Sequence, residues 1–304
     1  MTDNKSLPEQ QSCSINSRRV GEALIGTAPK TENWLLLEID EPPGANALLD
    51  SSLKQSIKDH LLALQSAIPS PRLLLIRARY PTPNSIHTFY LAAAGEQNPR
   101  LYEFHLGDYE DLLGLNITAI LGGDPVYAAN LRKEPVFVVC TNGKRDPCCA
   151  RWGLETYNAL ADQGDITLWQ TSHVGGHRFA ANLVLLPYGI YYGHVGINDA
   201  ACIITDSLGL RITLENYRGR ACYPPIVQIA DYFLRVKTQN LALDGFRFTS
   251  ALESSPDHWQ ICFTSTAEGQ VHTIDLIGEM SGTSIFESCS TPEDLKPVKR
   301  FKPA

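Results

Sequence analysis

The sequence has no concentrated basic segment, and its formal net charge is −7 at pH 7 with an isoelectric point near 5.6. A protein that binds a phosphate backbone normally carries a clustered basic surface, so we expect no nucleic-acid partner. The sequence also has no run of about 18 apolar residues, and its polar start, MTDNKSLPEQQSC, lacks the apolar core of a secretory signal. These absences predict a soluble, cytoplasmic protein with no membrane partner.

Two nucleotide-binding patterns are also missing from the sequence. There is no G-x-x-x-x-G-K-S/T phosphate loop, and no G-x-G-x-x-G follows a predicted strand. Flavin or nicotinamide chemistry would therefore need a separate protein. The eight cysteines lack the regular spacing of small disulfide-stapled proteins, and a chain of 304 residues can bury a sizeable core without covalent links. Most of the cysteines are expected to be buried apolar thiols.

One segment of the chain concentrates chemically active side chains. Cys140 and Cys149 lie in VVCTNGKRDPCCARWG, and His173 and His177 lie in TSHVGGHRF. The pattern predicts that Cys140 ends an apolar strand, that Cys149 falls near the start of a helix, and that both histidines share a loop after the next strand. Two thiolates and two imidazoles could converge there on one metal centre. This donor set suits zinc or iron-sulfur chemistry.

The adjacent pair Cys148 and Cys149 leaves a redox dithiol as a further alternative. Thioredoxin-like catalysis normally uses C-x-x-C, in which a helix N-terminus lowers the pKa of the first thiol and the second thiol resolves the mixed disulfide. Neither Cys140 nor Cys148 stands at that distance from Cys149. The spacing therefore favours a metal site.

The pattern of apolar runs and turn residues predicts an α/β protein with four parts. Residues 1–20 are predicted to be a flexible arm. Residues 21–132 are predicted to form an α/β domain that begins with strand, helix and strand. Residues 133–240 show the order β, α, β, β, β, α, which is compatible with a thioredoxin-like layer, and the first domain can be written in a similar way. Residues 241–304 predict a small β-rich extension that ends in a solvated tail, TPEDLKPVKRFKPA.

Three segments together resemble the sucrase/ferredoxin-like family: CTNGKRDPCCARWG, SHVGGHRFAANLVLLPYGIYYGHV and YRGRACYPPIVQIADYFLR. The resemblance covers about residues 13–240. It implies that the second α/β domain is a thioredoxin-like [2Fe-2S] ferredoxin. It also implies four cluster ligands, which are Cys140, Cys149, His173 and His177.

Cys148 is a departure from this family pattern, because many members have a basic residue before the second ligand. It is therefore an alternative to Cys149 as a ligand. Side chains of adjacent residues point in different directions, so only one of the two is expected to bind the same iron. We prefer Cys149.

The resemblance implies an electron-transfer protein that is a carrier rather than an enzyme and that works with redox partner proteins not identified by the sequence. Two imidazole ligands would raise the potential of the cluster above the value of about −400 mV typical of plant-type ferredoxins. Sucrase activity is not expected, because glycoside hydrolysis needs paired carboxylates across a sugar site and no such pair is evident. The alternative is a structural zinc protein or interaction module that uses the same four ligands.

Several residues beside the predicted ligands could support the site: Arg145, Gly175, Gly176 and Arg178. The arginines, with Arg218 and Arg220 of YRGR, are expected either to form ion pairs on a solvated surface or to provide a docking face for an acidic redox partner. The glycines would let their loop approach the cluster closely.

Overall fold

The structure is a computed structural model that describes residues 12–79 and 86–304, and it contains two β-sheets with helices packed against them. The first half of the chain contains α1 (Cys13–Arg19), β1 (Asn33–Glu38), α2 (Gln55–Ala67), β2 (Pro71–Arg77), β3 (His87–Ala93), β4 (Arg100–Leu106), α3 (Ile117–Gly122) and β5 (Leu131–Arg132). Strand β1 is apolar at consecutive positions because both of its faces are covered. It pairs with β2 in parallel and with β3 in the antiparallel sense, and β3 pairs with β4.

The second half repeats this architecture. It contains β6 (Val136–Cys140), α4 (Pro147–Ala161), β7 (Thr167–Thr171), β8 (Leu183–Leu186), β9 (Ile190–Tyr192), α5 (Ala200–Leu208), β10 (Tyr217–Arg220) and α6 (Pro225–Thr238). Strand β6 pairs with β7 in parallel and with β8 in the antiparallel sense, and β8 pairs with β9. The strand order β7-β6-β8-β9 therefore matches β2-β1-β3-β4. The predicted α/β class and the similar architecture of the two halves are confirmed, while α5 and β10 are additions that the sequence analysis did not predict.

The two halves share one ten-stranded sheet, in the order β10-β9-β8-β6-β7-β2-β1-β3-β4-β5. They join where β2 pairs with β7, through Ile76 with Thr171 and Arg77 with Gln170. One buried cluster contains side chains from both halves, and the Trp34 ring lies 5.9 Å from the Tyr191 ring. The predicted boundary at residues 132 and 133 consequently divides one continuous sheet and core.

The C-terminal part forms the second sheet, which is antiparallel and has the order β11-β12-β13-β14. Its strands are β11 (Phe246–Ser255), β12 (His258–Ser265), β13 (Val271–Phe286) and β14 (Leu295–Pro303). Ile261 and Phe263 pack against Val227 and Leu234 of α6. The predicted β-rich extension is confirmed, and the predicted tail contains strand β14. The segment pairs with β13 and buries Val298, while most of its other side chains are exposed, as expected of a solvated segment.

The predicted flexible arm is also wrong where the structure describes it, because Cys13–Arg19 is helix α1. Ser12 caps this helix by accepting a hydrogen bond from the Ile15 N–H, and the Ser14 hydroxyl donates to the Ala180 carbonyl at 2.8 Å. Small polar side chains that hydrogen-bond to the domain allow a polar segment to be buried. Residues 1–11 of the predicted arm lie outside the described residues.

Within residues 12–79 and 86–304, no helix is long and apolar enough to cross a membrane. Of the helices in these ranges, α4 is the longest, with 15 residues, whereas a membrane span needs about 20.

Candidate metal centre

The structure brings three of the four predicted ligands together where strands β6 and β7 end and helix α4 begins. Cys140 is the last residue of β6, Cys149 lies in the first turn of α4, and His173 follows β7. Their ligand atoms all lie within 4.8 Å of one another. The His173 Nδ1 atom is 4.0 Å from the Cys140 Sγ and 3.8 Å from the Cys149 Sγ.

His177, the fourth predicted ligand, lies beside this group. Its ring centroid is 5.0 Å from that of His173, and its Nε2 atom is 3.9 Å from the Asp146 Oδ2. Its Nδ1 atom is buried and has no hydrogen-bond partner among the described residues. Burial lowers the pKa of His177 and so favours the neutral imidazole, which is the form that binds metals. An unpartnered buried nitrogen costs free energy that a bound metal would recover.

The two thiols of Cys140 and Cys149 are unequal. The Cys149 thiol donates a hydrogen bond to Cys140 and lowers the pKa of Cys140 well below its usual value. The same hydrogen bond and the burial of Cys149 raise the pKa of Cys149. A metal that replaced the thiol protons would hold both sulfurs in the charged form.

The adjacent cysteines point to different neighbours. Cys149 faces Cys140 and His173, whereas the Cys148 Sγ lies 3.3 Å from the Cys289 Sγ and 3.6 Å from the Cys13 Sγ. The sulfurs of Cys13 and Cys289 are 3.5 Å apart. We call Cys13, Cys148 and Cys289 the cysteine triad. It is a separate cluster from the four predicted ligands.

Asp146 lies between the two cysteine clusters. Its Oδ1 accepts the Cys148 N–H at 2.9 Å and caps α4, while its Oδ2 accepts the Cys289 N–H at 2.9 Å. The sequence analysis missed the triad and this carboxylate. The only local signal is the Asp-Pro pair, which is typical of a helix N-cap followed by proline at the first helical position. Nothing in the sequence pattern relates that pair to Cys13 or Cys289.

Helix α4 packs closely against the strand that carries Cys140. A Cβ atom added to Gly153 would lie 2.1 Å from the Cys140 carbonyl oxygen. No real Cβ contact is that short, and a backbone oxygen at a strand end cannot move freely. Gly153 therefore fixes the separation between the two elements that hold Cys140 and Cys149.

We expect Gly153→Ala to lower the free energy of unfolding by about 1–3 kcal/mol, because overpacking outweighs the gain of about 1 kcal/mol that alanine normally brings to a helix. Urea denaturation followed by circular dichroism measures the change. Gly122→Ala in α3 is the matched control, since an added Cβ there meets nothing within 4 Å. Equal or higher stability of Gly153→Ala would contradict the close packing.

The loop that carries His173 and His177, which we call the histidine loop, contains two glycines whose backbone conformations and close contacts exclude a side chain. Gly175 and Gly176 have φ angles of +97° and +72°, which residues with side chains rarely adopt. An added Cβ would lie 2.9 Å from the Pro29 Cγ at Gly175 and 2.6 Å from the Arg218 Nη2 at Gly176. The glycines thus allow the loop to turn and to pack closely on its neighbours.

Arg218 holds this loop from the inside of the protein. It is 1% exposed, and its guanidinium donates to the carbonyls of Gly175 at 3.1 Å and Thr27 at 2.6 Å and to the Asn182 Oδ1 at 2.7 Å. Burial lowers the pKa of Arg218 to about 9. Arg220 is 3% exposed. The expectation that these two arginines lie on a solvated surface is wrong, because carbonyl acceptors replace water around them.

The other two arginines differ in their surroundings. Arg178 pairs with Glu22 at 2.8 Å and with Glu287 at 2.9 Å, so it connects the histidine loop to the first and last parts of the described chain. Arg145 is exposed and lies at the rim of a groove that His173 also lines. Arg178 therefore forms ion pairs, as predicted for these arginines. Arg145 lies on the surface, where a partner protein can reach it.

A protein family and a solved structure are similar to parts of this chain. The model of the family described as "Sucrase/ferredoxin-like" matches residues 24–219. The chain belongs to the sucrase/ferredoxin-like family. No curated protein matched the chain. Among solved structures, this family member matches a thioredoxin-like [2Fe-2S] ferredoxin from Aquifex aeolicus with 20% identity and a TM-score of 0.28, over 31% of the present chain and 97% of the ferredoxin.

Proposed function

We propose that the protein is an electron carrier whose [2Fe-2S] cluster is held by Cys140, Cys149, His173 and His177. The observation that carries this proposal is the unpartnered, buried Nδ1 of His177 beside a group of two thiols and one imidazole. The donor set fits the group, since thiolates and neutral imidazoles are the ligands of mixed cysteine-histidine clusters. Membership of the sucrase/ferredoxin-like family supports the same assignment.

When bound, the cluster would supply one-electron transfer at a potential above that of an all-cysteine ferredoxin. The protein orients the ligand side chains and limits the access of water to them. The His177 Nε2 faces the Asp146 Oδ2 at 3.9 Å, which is beyond hydrogen-bond distance, and the buried, unpartnered Nδ1 is the nitrogen left for the cluster. Burial of Cys140 and Cys149 excludes water from the sulfurs.

Electrons would enter and leave on the histidine side of the site. His173 is half-buried and lines an open groove with residues 45–49, Asn142 and Arg145. Lys144 and Arg145 are exposed next to it on a protein whose net charge is −7. We infer that an acidic redox partner docks at this groove, where local positive charge would speed its association.

Structural zinc is the second candidate for the same residues. The ligand atoms of Cys140, Cys149 and His173 lie within 4.8 Å of one another, which is close enough for a single ion. Cysteine and histidine in equal number are a common tetrahedral zinc set. The two candidates differ in sulfide content and in redox activity.

Protein purified anaerobically without a metal-binding tag should contain about two irons and two acid-labile sulfides per chain. It should be brown and should show a reversible one-electron reduction with a paramagnetic reduced state in electron paramagnetic resonance. Absence of sulfide, with zinc that disappears in the Cys149→Ser variant, would show the zinc alternative to be correct. Zinc that remains bound in Cys149→Ser would belong to a different site, so it would not identify the metal held by Cys140, Cys149, His173 and His177.

A further inference from the structure

The cysteine triad joins three distant parts of the chain in a closed, buried cluster. Cys13 comes from α1, Cys148 from the first turn of α4, and Cys289 from the segment between β13 and β14. The three side chains are 0%, 2% and 9% exposed, and none belongs to the proposed electron-transfer site. Their three sulfur-sulfur distances, 3.3, 3.5 and 3.6 Å, form a nearly regular triangle.

This triangle is slightly smaller than one face of a tetrahedral zinc site. Zinc-thiolate bonds of about 2.3 Å place sulfurs about 3.8 Å apart. A disulfide requires about 2.05 Å between two sulfurs and would leave the third thiol alone. The near equality of the three distances therefore fits a shared ion better than one bonded pair.

Asp146 provides the fourth donor. Its Oδ1 lies 3.7 Å from the Cys13 Sγ, and all four ligand atoms are within 4.8 Å of one another. The Oδ1 atom accepts hydrogen bonds from the Cys148 N–H and from the Cys13 thiol, whereas the Oδ2 atom accepts from the Cys289 N–H and the Ser288 hydroxyl. Each carboxylate oxygen has two lone pairs, so replacing the Cys13 thiol proton by a metal frees one lone pair on Oδ1 for that metal.

Polar groups lie against two of the three sulfurs, where they can stabilise the thiolates of a metal-bound state. The Cys13 N–H donates to the Cys289 Sγ at 3.3 Å, and the Ser12 hydroxyl lies 3.2 Å from the Cys148 Sγ. Cys148 also stands at the N-terminal end of α4, a helix of 15 residues whose dipole stabilises negative charge. These interactions would remain around a bound ion as its outer hydrogen bonds.

We propose that Cys13, Cys148, Cys289 and Asp146 bind one Zn²⁺ as a closed structural site, distinct from the Cys140–His177 site. Binding exchanges the three thiol protons for the metal and involves no oxidation. The ion would connect α1 and the C-terminal segment to the helix that carries Cys149. The site has no open position and is buried, so it is structural rather than catalytic.

The test measures zinc and iron in the full chain. We expect about one zinc per wild-type chain in addition to the iron, and an at least tenfold lower zinc affinity in Cys13→Ser and Cys289→Ser, since even outer-sphere changes cost about 10–100-fold. Iron should stay bound in both variants. Cys202→Ser is the control, because Cys202 is exposed and outside both clusters.

The unmodified protein provides a second measurement in case a variant does not fold. Removing zinc with a chelator should make Cys13, Cys148 and Cys289 reactive toward an alkylating reagent, and peptide mass mapping would locate the modified residues. Addition of Co²⁺ to the zinc-free protein should protect the three cysteines from alkylation again and give a thiolate-to-cobalt absorption band. Three free thiols in zinc-free protein as purified, a disulfide within the triad, or zinc that is lost in Cys149→Ser and kept in Cys289→Ser would each overturn the proposal. These outcomes concern zinc, and they leave the iron and sulfide result to decide the electron-transfer function.

Discussion

Replacing Cys149 by serine should remove most of the bound iron, whereas replacing its neighbour Cys148 by serine should leave the cluster in place. Cys149 shares a group with Cys140 and His173, while Cys148 contacts Cys13 and Cys289. A hydroxyl is a poor substitute for a thiolate on iron. Iron content should therefore fall at least tenfold in Cys149→Ser, since loss of a direct ligand exceeds the roughly 10–100-fold cost of outer-sphere changes.

Iron analysis and visible absorption of the two variants, prepared anaerobically in parallel, measure this difference. Cys262→Ser is the matched control, because Cys262 lies on β12 in the second sheet, away from both clusters. Circular dichroism of each variant separates cluster loss from unfolding. The reverse result, with iron lost in Cys148→Ser and kept in Cys149→Ser, would exchange the two assignments.

Replacing Arg235 by methionine should lower the free energy of unfolding by about 3–5 kcal/mol, because it leaves a buried carboxylate without its counter-charge. Arg235 and Asp231 lie one turn apart on α6, are 2% and 1% exposed, and approach to 3.0 Å. Asp231 also accepts the Tyr217 hydroxyl at 2.7 Å, and Arg235 donates to the Ala242 carbonyl at 2.7 Å. The pair thus connects β10 with the segment that leads into the second sheet.

Urea denaturation gives the size of this effect. Lys30→Met is the control, since the Lys30–Glu32 pair is exposed and such pairs contribute about 0–1 kcal/mol. The double variant Arg235→Met with Asp231→Leu should recover part of the loss, because it removes both buried charges together. A loss below about 1 kcal/mol in the single variant would show that water reaches Asp231.

The layered architecture was predictable because buried parallel strands produce distinctive sequences. The run preceding Cys140 is apolar at every position, since helices or sheet neighbours cover both of its faces. The repetition of the two halves was harder to detect from the sequence. Two segments can form the same strand order with different apolar residues, so the structural repeat leaves no repeated sequence. The Gly175–Gly176 loop was predictable for a similar local reason: a backbone with positive φ requires glycine.

The cysteine triad and the buried arginines depend on tertiary contacts instead. Cys13 and Cys289 are 276 residues apart, so no local spacing relates them. Arg218 resembles a surface residue in its sequence, and only the surrounding carbonyls explain its burial. Helix α1 and strand β14 are polar segments whose stability comes from what they pack against, which a pattern of periodicity cannot show.

The contact between Cys13 and Cys289 has a consequence for biosynthesis. Cys140 and His173 are 33 residues apart and can meet while the chain is still being translated, but Cys289 is made 276 residues after Cys13. The segment around Cys289 donates to Asp146, and Glu287 pairs with Arg178 in the histidine loop. Until that segment docks, Asp146 and Arg178 lack these partners, and the loops that carry the cysteines and histidines are less covered. In the proposed electron carrier, translation order would therefore give cluster insertion a time window that closes when the segment around Cys289 docks.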